Sequence, residues 1–324
     1  MTMRLLGNLD CEARWAKVAL PEAVQRRISL YATLFAACAP DDRDHDAPHE
    51  IWVPRPVDPG RLVAHPGWTP PITRVGEPTS SPFDLAWADP AAKDANDRSR
   101  TLAIAQALGV ALAGAAVVAS LAELDAHAAG FAGATARPWV CKARWTAAGR
   151  DRARGTGGAI SGELRTRLGR MFDQLGPLVF EPWLDRVADL GVCGEIDPGG
   201  AITVAEPHGL VTDPRGGFLG IELAPAIDRG IAEALHATAH AAAARVAAQT
   251  GYRGPFAIDA FVYRDAGAHH LHPLCELNAR HTFGWIARGL ARGLGIRRLG
   301  FDAPPHGTTL LIAPGDDRVT AWCA

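Results

Sequence analysis

Lysine is scarce in this 324-residue chain: of its 33 Lys and Arg residues, only Lys17, Lys93 and Lys142 are lysines. A lysine inside an apolar stretch therefore needs a reason. No uninterrupted apolar run approaches the roughly 18 residues of a membrane-spanning helix. The opening, Met1-Thr2-Met3-Arg4-Leu5-Leu6-Gly7, has no long apolar core before a small-residue cleavage site. No secretory signal is expected, and the chain reads as cytoplasmic. The six cysteines, Cys11, Cys38, Cys141, Cys193, Cys275 and Cys323, form no C-x-x-C pair and no Cys/His zinc spacing. That pattern argues against a disulfide framework or a zinc module and for reduced, mostly buried thiols. A net charge of -2 lacks the basic excess that binding to nucleic acid or acidic membranes demands. With 48% hydrophobic and 21% charged residues, disorder is excluded as the main state.

What is present suffices for two or three packed modules, since a chain this long buries about 75% of its unfolded surface. Residues 1–95 read as α/β, with a strand at Leu5-Leu6 and a helix from Pro21 to Ala37 that carries proline in its first turn. A polar loop from Asp41 to His49 precedes the strand Glu50–Val53. Prolines recur from Pro54 to Pro82 and exclude long helices there, and Phe83–Trp87 is a further strand. This order fits a small doubly wound module. Next, Asp97 caps a helix running to Leu108, and Ser120 with Glu123 forms a capping-box pattern for the helix Leu121 to Ala128. The strand Pro138–Ala143 leads into a Gly/Arg-rich loop, Gly149 to Gly158, then a helix from Ser161 to Gln174 and the strand Leu178–Glu181. The remainder reads as strands Ala188–Glu195, Ala201–Ala205 and Phe218–Leu223, and a helix Ala226–Thr250. Strands Phe256–Tyr263 and His270–Leu277 follow around the turn Asp265-Ala266-Gly267, then a helix Phe283–Leu294.

The chemistry concentrates on that last hairpin. Asp259 interrupts an apolar strand, and burying an unpaired charge is costly. Glu276 and Asn278 stand two apart on the partner strand and share a face. Two carboxylates and an amide on one face suit Mg²⁺, or form a solvated polar end. His270 and His272 share a face, either turned toward a metal or, as the better reading, part of that solvated end. Lys142 ends an apolar strand beside the Gly/Arg loop, as a phosphate contact or a snorkelling surface lysine. That loop lacks a G-K-[ST] ending, so it is no Walker motif, yet its backbone N–H groups and Arg150, Arg152 or Arg154 suit a polyphosphate. Glu181, before Pro182, ends another apolar strand, and Asp189 begins the next.

The order of these motifs resembles the ATP-grasp superfamily over residues 90–295, with residues 1–90 similar to the small α/β module that precedes the grasp. The resemblance implies an α/β fold: an N-terminal doubly wound module at 1–95, a small subdomain with a lid loop at 96–184, and a large subdomain with the metal site at 185–324. It implies that Lys142 contacts the α-phosphate and that Gly149 and Arg150 belong to the lid. Glu181 would accept from the adenine amino group, with Trp183 and Leu184 giving backbone contacts to the ring. Asp189 stands where an acidic ribose ligand is frequent. Asp259, Glu276 and Asn278 resemble the metal triad, and Arg280 the arginine that holds an anionic substrate or intermediate. Arg98 stands where the superfamily usually has a second ATP lysine, keeping charge but not shape.

The expected activity is ATP- and Mg²⁺-dependent ligation, with a small-molecule carboxylate activated as an acyl-phosphate and attacked by an amine. A nucleotide-binding protein without turnover and a small-molecule kinase are the alternatives. No nucleic-acid or membrane partner is expected, and a homodimer is compatible with the sequence. Asp10, Glu12, Arg14 and Trp15 either face the acceptor site from the first module or form a surface turn.

Overall fold

A computed structural model describes residues 4–7, 9–39, 49–76, 90–133, 136–145, 152–214 and 216–324. The first module comprises β1 (Arg4–Leu6), α1 (Cys11–Trp15), α2 (Glu22–Ala32), β2 (Glu50–Val53) and β3 (Ile72–Val75). Its three strands run parallel in the order β1-β2-β3. The helix read from Pro21 to Ala37 begins at Glu22 and tightens at Thr33 into a 3₁₀ turn ending at Cys38. The strand read at Phe83–Trp87 and the loop from Asp41 to Pro48 lie outside the described residues.

The second layer of elements starts with α3 (Pro90–Ala95) and α4 (Arg98–Ala107), where the Asp97 carboxylate accepts from the Ser99 N–H at 2.8 Å. A four-stranded antiparallel sheet follows, built from β4 (Ala116–Val118), β5 (Pro138–Ala143), β6 (Arg152–Thr156) and β7 (Leu178–Pro182) in the order β4-β7-β5-β6. Its helices are α5 (Leu121–Ala129) and α6 (Gly162–Leu175). The Gly/Arg segment is therefore not loop throughout: residues 152–156 form β6, paired with β5. Gly155 lies under Trp139, where an added Cβ would sit 2.1 Å from the indole. The capping box forms, with Ser120 Oγ accepting from Glu123 N–H at 3.2 Å and the Glu123 carboxylate accepting from Ala119 N–H at 2.9 Å.

The third part contains β8 (Asp185–Ile196), β9 (Ile202–Val204), β10 (His208–Thr212), β11 (Phe218–Leu223), α7 (Arg229–Thr250), β12 (Gly254–Asp265), β13 (Ala268–Asn278), α8 (Phe283–Leu294), β14 (Arg298–Gly300), β15 (Thr309–Ile312) and β16 (Ala321–Cys323). They make a sheet ordered β13-β12-β8-β10-β11-β14-β16-β15, with β9 on β8. Asp228 delays the start of α7 to Arg229, because its carboxylate accepts from Gly230 N–H at 2.7 Å and caps the helix there. The β12–β13 hairpin closes through Ala266 and Gly267, both at positive φ (46° and 81°), as a two-residue hairpin turn demands.

Alternation along β12 divides its side chains between two faces. Ile258, Ala260 and Val262 pack beneath α7 with Leu235, Ala239 and Val246, together with Ala95 and Ile104 from α3 and α4. Ala257, Asp259 and Phe261 consequently belong to the opposite face. The first module docks through Leu34 and Phe35 onto Ile286 and Leu290 of α8, in one core with Leu299, Leu311 and Ile312. Gly289 permits that docking, since a Cβ there would lie 1.8 Å from the Ala37 carbonyl oxygen.

His208 sits between Gly191 and Gly284, whose added Cβ atoms would come within 2.5 and 2.6 Å of its ring. Burial, helped by nearby Arg288, lowers its pKa to about 4. The unfolded chain takes up the proton first as pH falls, so stability is full above the unfolded value near 6.5 and is lost between about pH 6.5 and 4. We expect a His208-dependent loss on the order of 3 kcal/mol across that window, from 2.303RT times the shift. Urea titrations at pH 7.5 and 4.5 check it; a midpoint independent of pH would contradict it.

Candidate functional site

Asp259 stands directly opposite Glu276 in the β12–β13 register, and Ala257 opposite Asn278. The three polar side chains thus share the sheet face not covered by α7. Burial and the Glu276 charge push the Asp259 carboxyl up to about 7. The Asn278 amide Nδ2 donates to Asp259 Oδ2 at 3.5 Å. Glu276 accepts from Arg98 Nη2 at 2.7 Å, and Arg98 Nη1 donates to the Ala143 carbonyl at 2.8 Å. Arg98 opens α4, so this one side chain ties the helix to β5 and to Glu276 on β13.

A second pair closes the cleft from the small sheet. Lys142 on β5 donates to Glu181 on β7 at 2.5 Å, the two being near neighbours because Val140 stands opposite Glu181. Burial alone would raise the Glu181 pKa, but the Lys142 charge holds it below the usual range. Burial would lower that of Lys142, and Cys275 and Glu181 turn the shift upward. Both groups stay charged. Cys275 Sγ lies 3.9 Å from Lys142 Nζ, so β13 of the large sheet meets β5 here.

Arg186 connects the hinge to the large sheet. Its guanidinium lies 4.0 Å from the Phe261 ring centre and 5.6 Å from that of Trp183, and it donates to Asp189 at 2.9 Å. Arg154 of β6 covers Trp183 at 3.4 Å. Asp189 also accepts from Thr212 Oγ1 at 3.0 Å. It lies within β8 opposite Phe261, two residues from Gly191, which stands opposite Asp259. The Trp183 N–H donates to the Pro138 carbonyl at 2.9 Å, so that backbone donor is spent within the small sheet, whereas Leu184 simply follows it into β8.

Arg280 projects from the end of β13. Its Nη2 donates to Asn278 Oδ1 at 3.1 Å and to Glu12 of α1, while Nη1 reaches the His281 carbonyl at 3.4 Å. Buried Nε has no hydrogen-bond partner among the described residues. The first module therefore enters the centre through Glu12; Asp10 is turned to Arg14 at 2.8 Å.

Most sequence-derived site residues converge. Arg98, Lys142, Glu181, Asp259, Glu276, Asn278 and Arg280 form this cleft, with Trp183 and Asp189 at its hinge. Gly149 and Arg150 lie outside the described residues. The solvated reading of His272 is corrected: it is 4% exposed, rests edge-on against Phe261, and has its pKa lowered to about 4 by burial. A register shift between Asp259 and Phe261 changes how the hairpin pairs there, which simple alternation could not reveal. His272 joins Thr101, Leu274 and Cys275 in lining a narrow recess beside Arg98 and Glu181. Sequence reasoning missed the Arg186 contact, because no local pattern distinguishes it among so many arginines.

Among the described residues, no trio of His, Cys, Asp or Glu side chains forms a metal cluster. The candidate donors are two carboxylates and an amide; among the described residues no arginine hydrogen-bonds Asp259, although the charges of Arg280 and Arg98 act on it. Such a set fits a hard divalent cation that completes its shell with phosphate oxygens and water.

No protein-family model matches the chain, and no curated protein matches it. Solved structures do. N5-carboxyaminoimidazole ribonucleotide synthetase from Thermus thermophilus is 16% identical with a TM-score of 0.53, over 99% of this chain and 93% of that one. Biotin carboxylase from Campylobacter jejuni, solved with β,γ-ATP, is 15% identical with a TM-score of 0.51, over 71% and 62%. The biotin carboxylase domain of the Hydrogenobacter thermophilus 2-oxoglutarate carboxylase, a dimer with MgADP, ADP and bicarbonate, is 12% identical with a TM-score of 0.51, over 70% and 61%. This chain thus spans less than two thirds of either carboxylase structure. The element order, the two facing sheets and these likenesses agree: the chain is built on the ATP-grasp fold.

Proposed function

We propose that the protein is an ATP-dependent ligase that activates a substrate carboxylate as an acyl-phosphate for attack by an amine. The observation that carries this is the convergence, in one cleft between two sheets, of Lys142–Glu181 with Arg98, Asp259, Glu276, Asn278 and Arg280. Lys142 and Arg98 would meet the phosphates, and Glu181 would accept from the adenine amino group once Lys142 turns toward phosphate. Asp259, Glu276 and Asn278 would hold Mg²⁺, which neutralises charge on the transferring phosphoryl group. Arg280, with a buried N–H to spare, would hold the carboxylate and then the acyl-phosphate. Phosphate leaves when the amine forms the new carbon–nitrogen bond. Little covalent chemistry falls to the protein; positioning and fixed charge dominate.

Calorimetry with Mg²⁺ and a non-hydrolysable ATP analogue tests the nucleotide site. Lys142→Gln keeps a hydrogen-bond donor for Glu181 and should weaken binding about tenfold, as loss of one charged phosphate contact does. Lys17→Gln, on the first module, should not. Equal affinities in wild type and Lys142→Gln would remove Lys142 from the site. ADP release that requires both a carboxylate and an amine identifies a ligase; a stable phosphorylated product would identify a kinase instead.

A further inference from the structure

The cleft charges pair off unevenly. Arg98 takes Glu276 at 2.7 Å, Arg280 takes Glu12, and Asp259 is left with the Asn278 amide at 3.5 Å. Glu12 lies 268 residues from Arg280 in sequence and is 4% exposed. Cys11 Sγ donates to its second oxygen at 3.1 Å, so both carboxylate oxygens are engaged. A buried carboxylate is costly to keep unless its partner needs it.

We propose that Glu12 is a positioning residue: it anchors Arg280 on the first-module side and so keeps the Asp259 carboxylate open to a divalent cation. This rests on the metal reading of those carboxylates given above.

The reasoning is one of competition. Arg280 also donates to Asn278, the neighbour of Asp259 on this face, and its charge already acts on Asp259, so a short movement brings its guanidinium into hydrogen-bond contact with that carboxylate. An arginine–carboxylate pair in a partly desolvated cleft is strong, and it occupies the oxygens a metal would use. With Glu12 charged, Arg280 has a counter-ion elsewhere. With Glu12 neutral, Asp259 is the carboxylate on this face that no arginine hydrogen-bonds, and Arg280 is drawn to it. The first module thereby contributes to the metal site without touching the metal. A bare docking salt bridge would instead hold the modules together and leave the metal unaffected.

The test measures Mn²⁺ binding by electron paramagnetic resonance in the presence of a non-hydrolysable ATP analogue. It compares wild type, Glu12→Gln, Arg280→Gln and the double variant, each checked by thermal melting. Glu12→Gln should weaken Mn²⁺ about tenfold while the analogue's own affinity changes less than twofold. In the Arg280→Gln background the same change should have no effect, because no guanidinium remains to compete. Glu12→Asp, which keeps the charge, should bind Mn²⁺ as wild type does, and it also serves if Glu12→Gln melts early. Equal Mn²⁺ affinity in wild type and Glu12→Gln, additive losses in the double variant, or a loss in Glu12→Asp equal to that in Glu12→Gln would overturn the proposal. If wild type binds the analogue but no Mn²⁺, the metal reading itself fails and this proposal with it; Mn²⁺ binding that is indifferent to Glu12 overturns the proposal alone.

Discussion

Glu276→Gln is expected to abolish ATP turnover, a fall of at least about 10³-fold, while the fold survives. The neutral amide oxygen still accepts a hydrogen bond from Arg98, so the link from α4 to β13 persists. What disappears is the carboxylate that stands opposite Asp259 in the proposed cation site. Charge neutralisation during phosphoryl transfer depends on a correctly held ion, and losing a preorganised electrostatic contact costs roughly 10²–10³ by itself. The variant also leaves Arg98 with an uncompensated charge beside the proposed cation site. ADP release in steady state, read beside a thermal melt, is the measurement. Turnover near wild type would dismiss the metal assignment; a melt shifted far downward would show instead that the ion pair with Arg98 holds the modules together.

Arg280→Lys should lower kcat by about 10²-fold with little change in nucleotide affinity. Lysine keeps the charge and can still pair with Glu12. It cannot also reproduce the contacts to Asn278 and the His281 carbonyl, nor the spare Nε–H. An oxyanion that forms during transfer would lose its planar partner, and contacts that strengthen as charge develops govern the barrier more than ATP binding. Calorimetry of the ATP analogue beside steady-state turnover separates the two quantities. If affinity collapses while kcat at saturation holds, Arg280 belongs to the nucleotide half of the site.

Much of the site was legible because its signals are local. Asp259 breaks an apolar strand, and Glu276 with Asn278 follows the period of two; the hairpin register then sets Asp259 opposite Glu276 as that pattern implies. Pro138–Ala143 and Phe283–Leu294 form as read, since the apolar run of the strand and the Gly295 that ends the helix at positive φ are signals carried by neighbouring residues, although the strand takes its hydrogen bonds from β6 and β7. The misreadings have an equally physical cause. Residues 152–156 look like loop because glycine and arginine have little strand preference, yet β5 offers them a ladder and Gly155 makes room for Trp139. The short strands β14–β16 carry too few residues for any period to show, and exist because they extend the large sheet beneath the first module.

The sequence by itself determined most of the longer elements, their order and the chemical types available: a lone lysine on an apolar strand, an acid before a hinge, and two carboxylates with an amide on one hairpin face. Tertiary structure alone decided how those charges pair. That Arg98 holds Glu276, that Arg186 lies over Phe261, and that Glu12 reaches Arg280 depend on elements far apart in sequence that meet only in the folded chain. Periodicity is a property of neighbouring residues. The choice of counter-ion is set by distance and burial between residues far apart in the chain, and no local pattern encodes it.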